Sequence, residues 1–467
     1  MQYKKNLFLF LFVVLTIPVF CRNIYSPLQF GLFGAKNGAE RFWVLYNTHA
    51  MAVKENAKVS YDGIREIEIE IPEDAKCIPL PEQTDFSGIT ITVSNNSKDF
   101  YLFERVSSLS NISITPEDAD KGDFSSYSML NEGSHLLILS DLTPWVKNRI
   151  GYKYGHTRKD VLFVNNGISN ILPISPYTTA QTKLKAECCI ASTIKKTIKN
   201  IKIFRKESCS KKTFFLKIDG EYNVEIKDIE CYTPNDTLYG DALISVSNSS
   251  HITFNNIKIE GTYSRKDRYG YGISLNNVSD VHFYKLKGFG NWGIFGNNNL
   301  NKVSLRDCDI NRFDVHCYGK DIRFDNCNFS FLYNQFSSMY GDVIFQNCKF
   351  VNATPVLFEQ SYDAYTGFNL IFKDCHIYIT GGKNYLIFGG KLNEKGNSER
   401  LELKDKKYPC VFIDGLTIDM PDNHGDYYIY RFKRSWNANN DVPNIKEIKR
   451  ARFKRSHLHR LRPVRDN

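Results

Sequence analysis

The sequence lacks a second long apolar run. After the first twenty residues, no segment is apolar over the length that a bilayer-spanning helix needs. The chain has 12 cysteines but no CxxC pair with the spacing of a zinc site. These absences argue against an integral membrane protein and against a structural zinc domain, and they leave a protein whose core must come from its apolar pattern.

The first segment predicts export. MQYKK is a short basic start, NLFLFLFVVLTIPVF is an apolar run too short for a comfortable membrane span, and Val19 and Cys21 are plausible small residues before a cleavage site. We expect a signal peptide over residues 1–21, with cleavage near Cys21. A lipid-modified Cys21 is the alternative, but Pro18 and Phe20 do not fit the small-residue box that usually precedes such a cysteine. A periplasmic, cell-surface or secreted protein is expected.

The formal net charge of +10 is concentrated at the two ends. Lys4 and Lys5 belong to the predicted signal, and residues 451–467 carry six Arg or Lys against one Asp, which leaves 10 − 2 − 5 = +3 for the rest. A nearly neutral body does not favour a nucleic-acid partner, and an acidic ligand would need a local cluster of cations. We interpret residues 446–467 as a basic, solvated C-terminal tail.

One internal repeat determines the predicted fold. Its template is apolar, any, apolar, any, polar, apolar, any, apolar, and its copies start 28, 29, 22, 19, 21 and 27 residues apart. Period-two alternation predicts strands, and the Asn or Asp at the fifth position predicts a bend between two short strands. The copies are VEIKDIEC (224–231), ITFNNIKI (252–259), VHFYKLKG (281–288), VSLRDCDI (303–310), IRFDNCNF (322–329), VIFQNCKF (343–350) and LIFKDCHI (370–377).

A repeat of about twenty residues with strand periodicity leaves no room for a helix in each unit, so stacked units must share one core. We predict an all-β, right-handed parallel β-helix over residues 61–445. A cap over residues 22–60 precedes it, and a lateral excursion around residues 142–190 interrupts the repeat. Weaker copies at residues 200–204 and 411–418 extend the pattern in both directions.

Four cysteines share the sixth template position, at Cys308, Cys327, Cys348 and Cys375. Other repeats have Ile or Leu there, so the cysteines are predicted to form an internal column of small hydrophobic side chains. Stacked coils would also bring them within disulfide range, so a disulfide bridge stays an open alternative.

The N-terminal stretch LFGAKNGAERFWVLYNTHAMAVKENA (32–57), followed by IREIEIEIPEDAKCIPLP and FSGITITVSNN, resembles the opening of pectate-lyase-like β-helix proteins. The resemblance covers about 70 residues. It implies a turn, a capping helix and then the first strands. The chain departs from the family where an acidic DG-x-x-DDT run is expected and NGAERFWVLYNTH stands instead. We still expect a capping role for this stretch, but we infer no function for the chain from the resemblance.

The strand before each template predicts the functional face. YGYGISL (269–275), NWGIFG (291–296) and FDVHCYG (313–319) align with Ile273, Ile294 and Val315 inside, together with Leu275, Gly296 and Cys317. Ser274, Phe295 and His316 are then predicted to point outward. By the same alternation, Asp314, His316 and Tyr318 share one face. The candidate catalytic residues are Arg312, Asp314, His316, Tyr318 and Tyr340, and the candidate substrate-binding residues are Arg268, Tyr269, Asn291, Trp292, Asn334 and Gln335.

This composition suits a saccharide, because cations bind carboxylates, aromatic rings stack on sugar faces and amides bond to hydroxyls. The outward template positions show no acidic column for calcium, so no metal or other cofactor is expected. The NTD, DD, GHG and RIK strings of polygalacturonase-type hydrolases are also absent. The RFDxHxY string is similar to stretches of exported bacterial β-helix proteins linked to glycan use and of phage tailspike-like depolymerases.

We therefore predict a metal-independent polysaccharide lyase that acts by β-elimination on a uronic-acid polymer. Arg312 or Arg268 would neutralise the substrate carboxylate, His316 would act as the base, and Tyr318 or Tyr340 as the acid, with Asp314 orienting the imidazole. Two alternatives stay open. One is a glycoside hydrolase that pairs Asp314 with Asp267 or Asp325, and the other is a non-catalytic glycan-binding or surface-adhesion β-helix.

Overall fold

One system of parallel strands includes described strands from Ile24–Tyr25 to Val464–Arg465. The computed structural model describes residues 23–143, 156–178, 182–233, 243–260, 271–289, 293–330, 333–359, 366–379, 386–391, 410–419, 428–432, 444–449, 452–453 and 464–465. Its solenoid strands are Ile24–Tyr25, Lys58–Ser60, Glu66–Ile71, Ile78–Pro79, Gln83–Asn96, Phe100–Val106, Lys196–Arg205, Thr213–Asp219, Tyr222–Tyr232, Ile244–Glu260, Ile273–Tyr284, Lys287–Phe289, Phe295–Arg306, Asp309–Ile310, Asp314–Asp325, Asn328–Phe329, Tyr333–Phe336, Met339–Gln346, Lys349–Val351, Thr354–Glu359, Thr366–Tyr378, Leu386–Lys391, Cys410–Asp419, Tyr428–Phe432, Asn444–Lys449, Arg452–Phe453 and Val464–Arg465.

The template copies pair with one another in the predicted register. The first template residue of each coil lies opposite the first of the next, in the order Val224, Ile252, Val281, Val303, Ile322, Val343, Leu370 and Val411. Every one of these pairings is parallel. The prediction of an all-β, parallel β-helix is confirmed, and parallel crossovers take the predicted right hand almost without exception.

The bend at the fifth template position is a left-handed residue. The φ angle there is +54° at Asp228, +54° at Asn326 and +52° at Asn347, and it is +81° at Gly415 in the last copy. Asn, Asp and Gly are the residue types that adopt this conformation at least cost. Because one left-handed residue turns the chain between two short strands, the inside face resumes on the very next residue, as the sequence predicts.

The core consists of columns of like side chains. Cys308, Cys327, Cys348 and Cys375 are buried and free of disulfides, so the predicted cysteine column is confirmed and the bridge alternative is not realised. A neighbouring column stacks aromatic rings: those of Phe324 and Phe345 lie 4.7 Å apart with planes 10° from parallel. Like side chains repeat one coil apart and fill the interior without a change of strand register.

The segment predicted as the N-terminal cap contains one long helix, Gly38–Lys54, after two short 3-10 turns, Pro27–Phe30 and Leu32–Gly34. Asn37 caps it by accepting a hydrogen bond from the Glu40 amide, 2.8 Å away. Phe42, Leu45 and Ala52 of the helix are fully buried in the same core as the solenoid strands. The boundaries of 22–60 for a cap stay a prediction.

A second sheet interrupts the solenoid. Its five strands, Ser110–Ile112, Ser134–Asp141, Lys159–Asn165, Ile168–Ser169 and Leu184–Ile190, pair antiparallel, and a short helix, Pro116–Lys121, lies between the first two. We call residues 110–190 the insertion. It begins earlier than the predicted excursion around 142–190, because its first strands precede that stretch, and it has a core of its own around Phe124, Leu137 and Leu162.

Strand pairing continues past the predicted end of the solenoid at residue 445. Asn444–Lys449 and Arg452–Phe453 pair in parallel with Cys410–Asp419, and Val464–Arg465 pairs with Tyr428–Phe432. The interpretation of 446–467 as a solvated tail does not hold for these residues, since short strands pair through their backbone without the full apolar template. In the described part of the chain, no helix has the length and apolarity needed to cross a bilayer.

The cysteine column gives a direct test of the core. Cys327→Asp should prevent folding, because a carboxylate would be buried without a partner, whereas Cys327→Val should cost about 1 kcal/mol of unfolding free energy. Asn328→Asp is the matched control, because Asn328 is the exposed neighbour on the same coil. Urea unfolding followed by circular dichroism measures all three variants. A stably folded Cys327→Asp protein would refute the assigned inside face.

Candidate functional site

The described candidate residues lie on the strands Asp314–Asp325, Tyr333–Phe336 and Met339–Gln346, or directly before the first of them, and the strands Ile273–Tyr284 and Phe295–Arg306 lie on the two preceding coils. We call the outward side of the first halves of these strands the site face. The predicted register is wrong by one residue in its second coil: Phe295 pairs with Ile273 and lies inside, and Gly296 pairs with Ser274 and lies outside. A Cβ on Gly296 would overlap the ring of Tyr271, so this glycine makes room for that ring.

His316 occupies a β-bulge. Asn297 pairs with Val315, the next residue Asn298 pairs with Cys317, and His316 is the extra residue between them. The bulge turns Cys317 away from the solenoid core and against Ile174 of the insertion. The prediction that Cys317 faces inward is therefore wrong, and so is the prediction that Tyr318 shares one face with Asp314 and His316, because simple alternation does not anticipate an inserted residue.

Arg312 and Asp314 form a buried ion pair. The Arg312 Nε donates to Asp314 Oδ1 at 2.7 Å, Nη2 lies 2.6 Å from Oδ2, and both side chains are at most 1% exposed. The guanidinium also stacks over the Tyr333 ring, 4.5 Å from its centroid. Burial opposes the charge, but the Asp314 carboxylate outweighs it and raises the pKa of Arg312. The charge of Arg312 is thus already balanced by Asp314, which argues against its predicted role as the cation for a substrate carboxylate.

His316 contacts a residue that the sequence analysis did not select. Its Nε2 lies 3.0 Å from the hydroxyl of Tyr271 and 3.9 Å from Asp314 Oδ2. His316 is 7% exposed, whereas Tyr271 is half-buried. Strict alternation from Ile273 places Tyr271 inside, so the only sequence signal for it was the small residue Gly296 on the next coil.

The two amides predicted to bind substrate serve the structure instead. Asn334 is buried, accepts from the Phe313 amide at 2.8 Å and donates to the Pro355 carbonyl at 3.0 Å. Gln335 is 1% exposed and accepts from Arg312 Nη2 through Oε1 at 3.4 Å. Both side chains hold neighbouring coils together, and neither presents its amide to solvent.

Tyr318 is fully buried between the solenoid and the insertion. Its φ of +61° continues a left-handed column that Asn248, Asn277 and Asn299 occupy on preceding coils, an unusual conformation for a tyrosine. Its hydroxyl donates to Asp160 at 3.2 Å and accepts from the Ser175 amide at 3.1 Å. A hydroxyl held in this way inside the protein does not fit the predicted role of proton donor to a polymer.

The contact of Tyr318 belongs to a buried polar cluster on the insertion. Asp160 also accepts from the Tyr177 hydroxyl at 2.9 Å and from the Ile174 amide at 2.9 Å. Arg158 stacks on the Tyr177 ring at 4.4 Å and pairs with Asp141 at 3.1 Å. Burial raises the pKa of Asp160 to about 6. The cluster fixes the insertion next to the site face.

Tyr340 remains half-buried at the edge of this contact, with its ring edge-on to that of Tyr318 at a centroid distance of 5.9 Å. Four predicted site residues lie outside the described residues: Arg268, Tyr269, Asn291 and Trp292. The described part of the chain contains no group of three or more His, Cys, Asp or Glu side chains placed to hold a metal ion. The structure therefore brings together Arg312, Asp314, His316 and Tyr271, and it separates Tyr318 from them.

The buried acid of the insertion predicts a pH dependence of stability. Unfolded Asp160 loses its proton near pH 3.8, whereas in the folded state it keeps the proton up to about pH 6. The free energy of unfolding should therefore fall as the pH rises between these values, by on the order of 3 kcal/mol, and stay lowered above pH 6. Urea unfolding of wild type and Asp160→Asn across this range isolates the effect, because the variant lacks the titration. Parallel curves would contradict it.

The Arg312–Asp314 pair predicts a second stability effect. Arg312→Met should lower the free energy of unfolding by roughly 3–5 kcal/mol, because it leaves Asp314 buried without its cation. The double variant Arg312→Met, Asp314→Leu should regain most of the loss, since it removes both charges. Chemical denaturation of the two proteins measures the difference. Equal losses in both would mean that packing of Arg312, and not its charge, stabilises the site.

No family model and no curated protein matches the sequence. Among solved structures, the chain is similar to the tailspike gp49 of Pseudomonas phage LKA1, at 13% identity over 87% of this chain and 78% of that one, with a TM-score of 0.49. It is also similar to the tailspike gp61 of Pseudomonas phage phi297, at 10% identity over 88% and 81%, with a TM-score of 0.46. A third is the Gp54 tailspike of Acinetobacter baumannii bacteriophage AP22, in complex with a capsular saccharide, at 9% identity over 91% and 79%, with a TM-score of 0.40. Likeness at this level concerns the course of the chain and carries no functional argument.

Proposed function

We propose that the protein binds an extended polysaccharide along the site face and cleaves it by β-elimination without a metal. The observation that carries this proposal is the contact of Tyr271 with His316: a hydroxyl and an imidazole 3.0 Å apart on the outer side of the solenoid. Such a pair can accept one proton and donate another, which is what elimination from a uronic acid requires. The predicted export would bring this face into contact with extracellular polysaccharides.

The half-buried residues of the site face supply the binding surface. Ser274 and Asn276 are joined by a hydrogen bond of 2.7 Å, and Asn298 of the next coil donates to Asn276 at 3.0 Å. Tyr271 lies on the coil of Ser274 and Asn276, Tyr333 lies two coils beyond Asn298, and both tyrosines are half-buried. Hydroxyls, amides and aromatic faces in one row are the groups that bind sugars.

In the proposed reaction His316 removes the C5 proton of a uronic acid and Tyr271 protonates the leaving oxygen at C4. Tyr271 replaces Tyr318 as the acid because Tyr318 is buried against the insertion. Asp314 Oδ2 lies 3.9 Å from the imidazole and keeps its proposed role of orienting the ring, and Arg312 positions Asp314. Arg268, outside the described residues, remains the proposed cation for the substrate carboxylate, since Arg312 is paired with Asp314.

The geometry favours particular uronic acids. His316 and Tyr271 lie side by side, so the C5 proton and the C4 oxygen must be approached from the same face of the sugar ring. These two groups are on the same face in glucuronate and mannuronate and on opposite faces in galacturonate. Polymers of the first two are therefore the proposed substrates, and polygalacturonate is the matched poor substrate.

The proposal is tested with a panel of acidic polysaccharides while the absorbance of unsaturated uronate is followed. His316→Ala and Tyr271→Phe should each lower turnover by at least about 100-fold and leave polymer binding nearly unchanged, because proton transfer acts in the transition state. His376→Ala and Tyr284→Phe, at partly exposed positions of the template strands, are the controls and should retain full activity.

Three results would count against the lyase. Full turnover in His316→Ala would place the reaction elsewhere. Cleavage that yields saturated products would favour the hydrolase. Binding without cleavage of any polymer would favour a non-catalytic glycan-binding protein.

A further inference from the structure

A second cluster of reactive side chains lies on the strands Ile273–Tyr284 and Phe295–Arg306, apart from His316. Asp280, His282 and Ser304 come from two adjacent coils, in which His282 pairs with Ser304 in the strand ladder. The Nδ1 of His282 lies 2.7 Å from the Ser304 hydroxyl oxygen, and its Nε2 lies 3.1 Å from Asp280 Oδ1. All three side chains are partly exposed.

This order of groups is that of an activated serine nucleophile. A carboxylate that accepts from one imidazole nitrogen fixes the tautomer, so that the other nitrogen accepts the serine proton. Here Asp280 accepts from Nε2, which leaves Nδ1 of His282 facing the Ser304 hydroxyl. Hydrogen bonds from His251, at 2.6 Å, and from His282 lower the pKa of Asp280 and keep it ionised.

The coil after Ser304 supplies a cation. Arg323 pairs with Ser304 in the ladder, about one strand spacing of 4.8 Å away, and its side chain is exposed. Its Nη2 donates to Gln346 at 2.8 Å, which holds the guanidinium on this face. A guanidinium beside the nucleophile can stabilise the negative oxygen that forms when an ester carbonyl is attacked.

An aromatic platform adjoins Asp280, on the coils that precede the coil of Ser304. The ring of Phe163, from the insertion, stacks on Tyr222 at 4.0 Å, and Tyr222 stacks on His251 at 5.6 Å. His251 in turn bonds to Asp280, so the platform leads directly to the triad. Partly exposed aromatic faces of this kind suit the apolar face of a sugar ring.

We propose that Asp280, His282 and Ser304 form an esterase site that removes O-acyl groups, such as acetyl, from a saccharide held on this platform. The Ser304 oxygen attacks the ester carbonyl carbon, and its proton passes to His282. The bond to the sugar oxygen breaks as His282 returns the proton to that oxygen. Water then attacks the acyl carbon and gives its proton to His282. The bond between that carbon and the Ser304 oxygen breaks, and His282 passes the proton to this oxygen, which releases the carboxylic acid and restores Ser304.

The test uses the full chain with 4-nitrophenyl acetate and with a fluorophosphonate that labels activated serines. Wild type should hydrolyse the ester and carry the label on Ser304, found by peptide mass spectrometry. Ser304→Ala and His282→Gln should each lower kcat/KM by at least about 100-fold. Thr253→Val, which changes the other ladder neighbour of His282, should keep the wild-type rate. Unchanged melting temperatures show that the variants fold.

Three outcomes would overturn the proposal: no hydrolysis by wild type, a wild-type rate in Ser304→Ala, or a label on another residue. The outcome is separate from that of the proposed lyase, because His316→Ala should retain full esterase activity. Loss of esterase activity in His316→Ala would likewise contradict two independent sites.

Discussion

The parallel ladder between coils places each side chain beside its counterpart on the next coil, about 4.8 Å away. The cysteine column, the stacked phenylalanines and the left-handed bends all follow from this spacing, because one residue type that fits at a template position fits again on the next coil. The same spacing turns surface residues into rows. Ser304 lies beside His282 for the reason that Cys327 lies beside Cys308.

The candidate site arises where the ladder is interrupted. The bulge at His316 offsets the following residues by one position, Gly296 leaves a space that the Tyr271 ring fills, and Tyr318 takes a left-handed position that asparagines occupy on preceding coils. These departures carry a cost in conformational energy, and buried contacts offset it. The Tyr318 hydroxyl bonds to the insertion, and the Arg312–Asp314 pair holds the strand before the bulge.

The sequence predicted the regular part of the molecule. A template that alternates through seven copies has a single register that buries all its apolar residues, so strand pairing, the bends and the cysteine column could be derived from it. The irregular part could not be derived. A bulge carries no pattern of its own, which is why Cys317 was placed inside, and one glycine was the only sign that Tyr271 would reach His316. The insertion was seen only as a break in the repeat, since its antiparallel strands do not carry the template.

Burial also changes the roles that the candidate residues can have. Sequence alternation separates the inside of a solenoid from the outside, but it does not show that the insertion covers part of the outside. Tyr318 was predicted to contact substrate, but its hydroxyl bonds to Asp160 and to the Ser175 amide. The side-chain oxygen and nitrogen of Asn334 both bond to backbone groups. What is left for chemistry on this face is the pair of Tyr271 and His316.

The proposal that this pair performs an elimination is tested most directly by the origin of the oxygen in the products. Digestion of a glucuronate- or mannuronate-containing polymer in water enriched in heavy oxygen, followed by mass spectrometry, separates the two ways of breaking the chain. Elimination predicts unsaturated fragments whose newly formed ends contain no oxygen from the solvent. Saturated fragments that carry one solvent oxygen for each cleaved bond, on one of its two new ends, would contradict the account.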